Sequence, residues 1–148
     1  MTNTALYFGP GDYVEVKGGK ARGVRRLANM HRDILRELKK RRPLIAVIEG
    51  YAFMAQARQH RLGEIGGVIR LACAQAGVMF IYELPPTSLK KHFTGSGASD
   101  KEEMLDEAIR RHGEKLPSHD VADACALWHA GADIPFLAAK AEVESLGG

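Results

Sequence analysis

The segment Leu44-Ile45-Ala46-Val47-Ile48-Glu49-Gly50 constrains the fold more than any other part of the chain. An apolar run ends in one carboxylate, and a glycine follows. A run this short and partly β-branched reads as a buried strand rather than a helix. Pro43 marks a stop in front of it, and Gly50 permits a sharp turn behind it. A carboxylate at the end of a buried strand is costly to desolvate unless something there uses its charge. In open α/β sheets, sites gather at the C-terminal ends of strands. Glu49 is therefore either a strand-end acid reaching solvent or the first member of a site.

A buried strand needs neighbours, and the rest of the chain supplies them. Thr4 to Phe8 and Tyr13 to Val16 read as two strands of a hairpin around the turn Gly9-Pro10-Gly11-Asp12. Val24, Leu27, Met30, Ile34, Leu35 and Leu38 fall at helical spacing, which predicts a helix from about 24 to 40 ended by Pro43. A second helix is expected from about 58 to 76, capped by Gly77. Its glycines, Gly63, Gly66 and Gly67, suit close approach to the sheet or to a second subunit. Val78 to Glu83 reads as another buried strand, and the order strand–helix–strand implies a parallel crossover. After Pro85-Pro86 come one helical turn over 89–93 and a flexible loop, Thr94-Gly95-Ser96-Gly97-Ala98. Ser99 and Glu102 form a capping box for a helix over 100–112, and Ser118 caps a last helix over 119–130. The 148 residues, 45% of them apolar, suffice for one domain with its own core. Residues 133–148 read as a C-terminal tail, with a short extra helix after Pro135.

Charge and cysteine usage narrow the chemistry. The net charge is only +3, but Arg22, Arg25, Arg26, Arg32, Arg36, Lys39, Lys40 and Arg41 crowd one segment that only Asp33 and Glu37 oppose. Such a segment suits phosphate backbones. Cys73 and Cys125 lie far apart with no Cys-x-x-Cys motif, which argues against a disulfide frame or a zinc site. No apolar run reaches membrane-spanning length, and no signal-peptide pattern is present. A cytoplasmic location and no membrane partner are expected.

Asp120 and Asp123 stand three residues apart, on one face of the last helix near its start. Asp123 sits among Val121, Ala122, Ala124, Cys125 and Ala126, and an acid in that company pairs with a cation or binds metal. Together with Glu49 these acids make an all-oxygen set that selects Mg²⁺ or Mn²⁺ over zinc. The set could activate a water and stabilise a leaving oxygen at a phosphodiester.

These residues carry a family resemblance. Ile48-Glu49-Gly50-Tyr51-Ala52-Phe53 resembles the second acidic motif of the RuvC-type Holliday junction resolvases, members of the RNase H-like superfamily. The glycine-bearing helix Leu62 to Val68, the stretch Pro85 to Lys91, the loop Thr94 to Gly97 and Ser99-Asp100-Lys101-Glu102 are similar to the segments that follow it. His119-Asp120-Val121-Ala122-Asp123-Ala124 resembles the terminal acidic helix. The likeness covers roughly residues 21–130 and is greatest to phage and prophage members. It implies a mixed sheet flanked by helices, in one nuclease domain spanning 1–148. It implies a metal-dependent, structure-specific endodeoxyribonuclease that cuts branched DNA, acting as a homodimer because a four-way junction needs two symmetric cuts. Glu49, Asp120 and Asp123 would be the metal ligands. Lys101 would serve catalysis at the phosphate, and Lys90 and Lys91 would meet flanking phosphates. Tyr51 and Phe53 would stack on unpaired bases beside Arg58.

The sequence departs from the family at its start. The family opens with a strand bearing an Asp, and no such strand is found here. One alignment sets Leu6 to Gly11 on that strand, with Gly9 in place of the Asp; the other, preferred because only two strands precede the basic helix where the family has three, aligns Thr4–Phe8 and Tyr13–Val16 with the family's second and third strands and makes the domain N-terminally incomplete. On that alignment an upstream reading frame encodes an apolar strand ending in Asp, and the chain as it stands cleaves weakly or not at all. The alternative function is then a catalytically impaired RNase H-like module that binds branched DNA or a protein. A third reading, a hydrolase built on the His119-Asp120 pair, lacks a convincing second His and Asp, since His112, His129 and Asp133 do not complete such a set.

Overall fold

A computed structural model describes residues 4–50 and 56–147, with side chains of the second helix described from residue 63 onward. The strands are β1 (Thr4–Gly9), β2 (Asp12–Val16), β3 (Ile45–Glu49), β4 (Phe80–Leu84) and β5 (Glu142–Ser145). The helices are α1 (Gly23–Arg41), α2 (Gln56–Ala76), α3 (Pro86–Thr94), α4 (Lys101–His112), α5 (His119–Gly131) and α6 (Ile134–Lys140). β1 and β2 form an antiparallel hairpin. β3 pairs parallel with β4, as the crossover order requires, and β5 pairs antiparallel on the other edge of β4.

Side-chain alternation along the strands builds two cores, one on each face. Leu6, Phe8, Val14, Val16, Ala46, Ile48 and Ile81 meet Met30, Ile34 and Leu38 of α1 and Ile65, Ala72 and Cys73 of α2. Ala5, Tyr7, Tyr13, Val47, Tyr82 and Leu84 face the other way, onto α3, α4, α5 and α6. The result is a mixed α/β fold with helices on both faces.

The ends of the elements follow local chemistry, with some differences from the expected register. The capping box of α4 is Asp100 with Glu103, not Ser99 with Glu102: Glu103 N–H donates to Asp100 at 2.8 Å, and Asp100 N–H donates to Glu103 at 2.8 Å. Ser99 is buried instead. Its hydroxyl bonds the Ser96 carbonyl at 2.9 Å and the Thr94 hydroxyl, so side-chain bonds stitch together the loop that its composition marked as flexible. α3 is longer than the single turn expected, because Pro86 is well placed in a first turn that needs no N–H there. The segment 133–148, read from sequence as a tail, is built into the fold. Asp133 caps α6, Leu137 is fully buried, and β5 extends the sheet. Its strand was not legible because Glu142-Val143-Glu144-Ser145 is exposed and lacks an apolar face. Among the described residues a Cβ on Gly67 would meet nothing within 4 Å, so none of them requires that glycine by close approach.

No ladder joins the two sheets among the described residues. The unpaired edges of β1 and β3 instead line one cavity of about 770 Å³, with Thr4 to Phe8 on one wall and Ile45 to Gly50 on the other.

Candidate active site

Glu49 reaches the site through the period-2 rule. Val47 packs toward α5, where a Cβ on Gly131 would lie 3.1 Å from its Cγ2. Glu49, two residues on, projects to the same face. The start of α5 meets it there. Ser118 caps that helix by accepting from Val121 N–H at 3.2 Å, which places Asp120 in the first turn and Asp123 one turn further. Glu49, Asp120, Asp123 and Lys101 all line the cavity between the sheets. Gly50 must be small: its N–H donates to the Leu84 carbonyl at 2.8 Å, and a Cβ would fall 2.8 Å from a Glu83 carboxylate oxygen. Glu83 itself is held by Arg70 at 2.7 Å.

The electrostatics show a crowded set of acids. Burial raises the Glu49 carboxyl to about 7, and the charge of Asp123 adds to this, while Lys90 opposes it. Burial likewise raises Asp123 to about 6, with Asp120 adding, and with Lys101, His119 and Lys90 opposing. Two half-buried carboxylates whose ionised forms are this disfavoured, next to a third, lack sufficient positive charge. That donor set fits a hard divalent cation.

Lys90 and Lys101 are the cations that act on the set. Lys101 opens α4, and His119 anchors that end: its Nδ1 donates to the Lys101 carbonyl at 3.3 Å, and its Nε2 meets Glu102 at 3.1 Å. His119 is thus a positioning residue that the sequence marked only through its adjacency to Asp120. Lys91 is exposed, turned about 100° from Lys90 on α3, and no described interaction links it to the carboxylates. Tyr51 and Phe53 lie outside the described residues. Arg58 falls within α2, but its side chain also lies outside them. No described helix is long and apolar enough to cross a membrane.

No family model matches the chain. Among solved structures, a Thermus thermophilus RuvC in complex with a Holliday junction substrate matches with a TM-score of 0.73 at 26% identity, over 88% of this chain and 82% of that one. A second Thermus thermophilus RuvC structure gives a TM-score of 0.69 at 23% identity, over 90% and 80%. The architecture is RNase H-like. The crossover junction endodeoxyribonuclease RuvC of Thermosipho melanesiensis is 34% identical over 106 residues, 70% of this chain and 67% of that protein. That of Synechococcus sp. strain WH7803 is 26% identical over 116 residues, 77% and 74%. The chain belongs to the RuvC family of crossover junction endodeoxyribonucleases.

Proposed function

We propose that the chain is a single-domain, divalent-metal-dependent endonuclease that resolves Holliday junctions and related branched DNA by phosphodiester hydrolysis, working as a homodimer. The observation that carries this reading is the pair of desolvated acids, Glu49 and Asp123, beside Asp120 on a RuvC-family fold. Glu49, Asp120 and Asp123 would hold Mg²⁺ or Mn²⁺. The bound cation would supply activation of water and stabilisation of the charge that develops on the phosphate. Lys101, fixed by His119 at the site's edge, holds the scissile phosphate and neutralises part of its charge. Lys90, whose charge acts on both Glu49 and Asp123, draws the DNA backbone toward them, and Lys91 meets a phosphate further out. Tyr51, Phe53 and Arg58 would engage unpaired bases and backbone near the junction centre. The two-fold symmetry of a junction fits an isologous dimer.

The test is a synthetic four-way junction incubated with the chain and Mg²⁺. Symmetric nicking that chelator and Glu49→Gln both abolish is the expected result, slow in this chain because the Asp of the family's opening strand is not found in it. Cutting that survives either one overturns the reading. The measured rate also decides whether these three carboxylates suffice for cleavage.

A further inference from the structure

On the far side of α5 from the carboxylates, three metal-ligating side chains converge. Cys125 and His129 stand four residues apart and so share one helix face. Cys125 lies two residues beyond Asp123, roughly 200° around the helix, on an opposing face. His112, the last residue of α4, completes the group. Its Nε2 is 3.0 Å from His129 Nε2, and one donor atom from each of the three side chains lies within 4.8 Å of the other two.

We propose that His112, Cys125 and His129 form a zinc site, distinct from the carboxylate centre and structural in role. Zinc–nitrogen bonds of about 2.1 Å at tetrahedral angles put two nitrogens about 3.4 Å apart. The imidazoles are already near that separation, so little rearrangement is needed. A nitrogen and sulfur set is borderline-soft and selects Zn²⁺ over Mg²⁺, the reverse of the preference of the acidic set. Three protein ligands leave the fourth position to water at half-exposed His112, and the other surroundings exclude solvent. Cys125 is fully buried. Phe93 and Trp128 wall His129 with ring centroids at 5.7 and 5.1 Å. Arg111, whose charge acts on His129 and Cys125, is itself paired with Glu107 at 2.8 Å. Tyr7 supplies outer support: its hydroxyl lies 3.2 Å from His112 Nδ1, the ring nitrogen that zinc at Nε2 leaves free, and hydrogen-bonds with the Cys125 thiol. On binding, the thiol proton passes to solvent and a zinc–sulfur bond forms, with one proton released per ion. The bound ion would tie the end of α4 to α5 and, through Tyr7, to β1. A search for paired cysteines passes over this arrangement, because its signal is one cysteine and one histidine at helical spacing.

The experiment uses the full chain, stripped with chelator and reloaded with zinc or cobalt. One zinc per chain is expected in the wild type, in Cys73→Ser and in Glu49→Gln, together with a thiolate-to-cobalt charge-transfer band. Cys125→Ser and His129→Gln should weaken binding at least about tenfold and remove the band. His112 is half-exposed at a helix end, so His112→Gln should fold; its Tm should no longer rise with zinc as the wild-type Tm does. Zinc content unchanged in these variants overturns the proposal, as does a wild type that neither retains zinc nor shows the cobalt band. The inference does not rest on the nuclease reading, and the Glu49→Gln control separates the two.

Discussion

Replacing Glu49 with glutamine tests the acidic site while keeping its shape. The carboxyl is raised from 4.5 to about 7, first by burial and then by Asp123. Each pKa unit corresponds to about 1.4 kcal/mol, so in the cation-free protein an ionised Glu49 costs the fold on the order of 3 kcal/mol. The sign follows from the raised value. Below about pH 4.5 the group is protonated both folded and unfolded, and acid and amide behave alike. As pH rises toward about 7, the unfolded chain gives up its proton first and the folded state loses stability; above about 7 the loss is complete. The amide escapes that cost, and its buried polar atoms are matched by those of the protonated acid. Glu49→Gln should therefore be more stable than wild type by about 3 kcal/mol near pH 8 and by about nothing near pH 4.5. Urea unfolding in chelator at the two pH values measures this. Added Mg²⁺ should reverse the order by stabilising only the wild type. An equal difference at both pH values, or a variant less stable near pH 8, would refute a desolvated carboxylate at this position.

Further outcomes are expected from the same geometry. Asp123→Asn should abolish junction cutting while gel-shift affinity stays within about threefold, because the phosphate contacts that dominate affinity lie elsewhere. Lys90→Ala removes a charge that holds both Glu49 and Asp123 down, so the pH–rate profile should move alkaline; Lys91→Ala should leave the profile in place. Arg41→Ala loses ion pairs to Asp12 and Glu37 and the stack over Phe8 at 4.2 Å, a cost of about 1 to 2 kcal/mol in chemical denaturation. Gly50→Ala forces Glu83 off Arg70 and should lower stability by about 1 to 2 kcal/mol, measured the same way.

Where sequence and structure agree, the reason is strong local patterning. The apolar run before Glu49 could bury both faces only as a strand, and the spacing of Asp120 and Asp123 in a capped helix fixed their shared face before any tertiary information. Elsewhere the decisive contacts are tertiary. β5 carries no amphipathic pattern of its own and becomes a strand because β4 offers it an edge. Asp100 displaces Ser99 as the cap because the Ser99 hydroxyl finds Thr94 and Ser96. The placing of Lys101 depends on His119, a residue in another helix. That two histidines from separate helices would meet beside Cys125 depends on how α4 crosses α5, which no single segment encodes.

The separation of the two sheets bears on how the fold opens. With no ladder between β1 and β3, the hairpin is attached through side chains, on one face to the core around α5 and on the other to α1 and α2. Amides pointing outward from the facing edges of β1 and β3 have no strand partner, so their hydrogen exchange does not wait for either sheet to unfold. The hairpin and the three-stranded sheet share two cores but no ladder, and slowed exchange along those facing edges is a direct readout of anything that comes to lie between them.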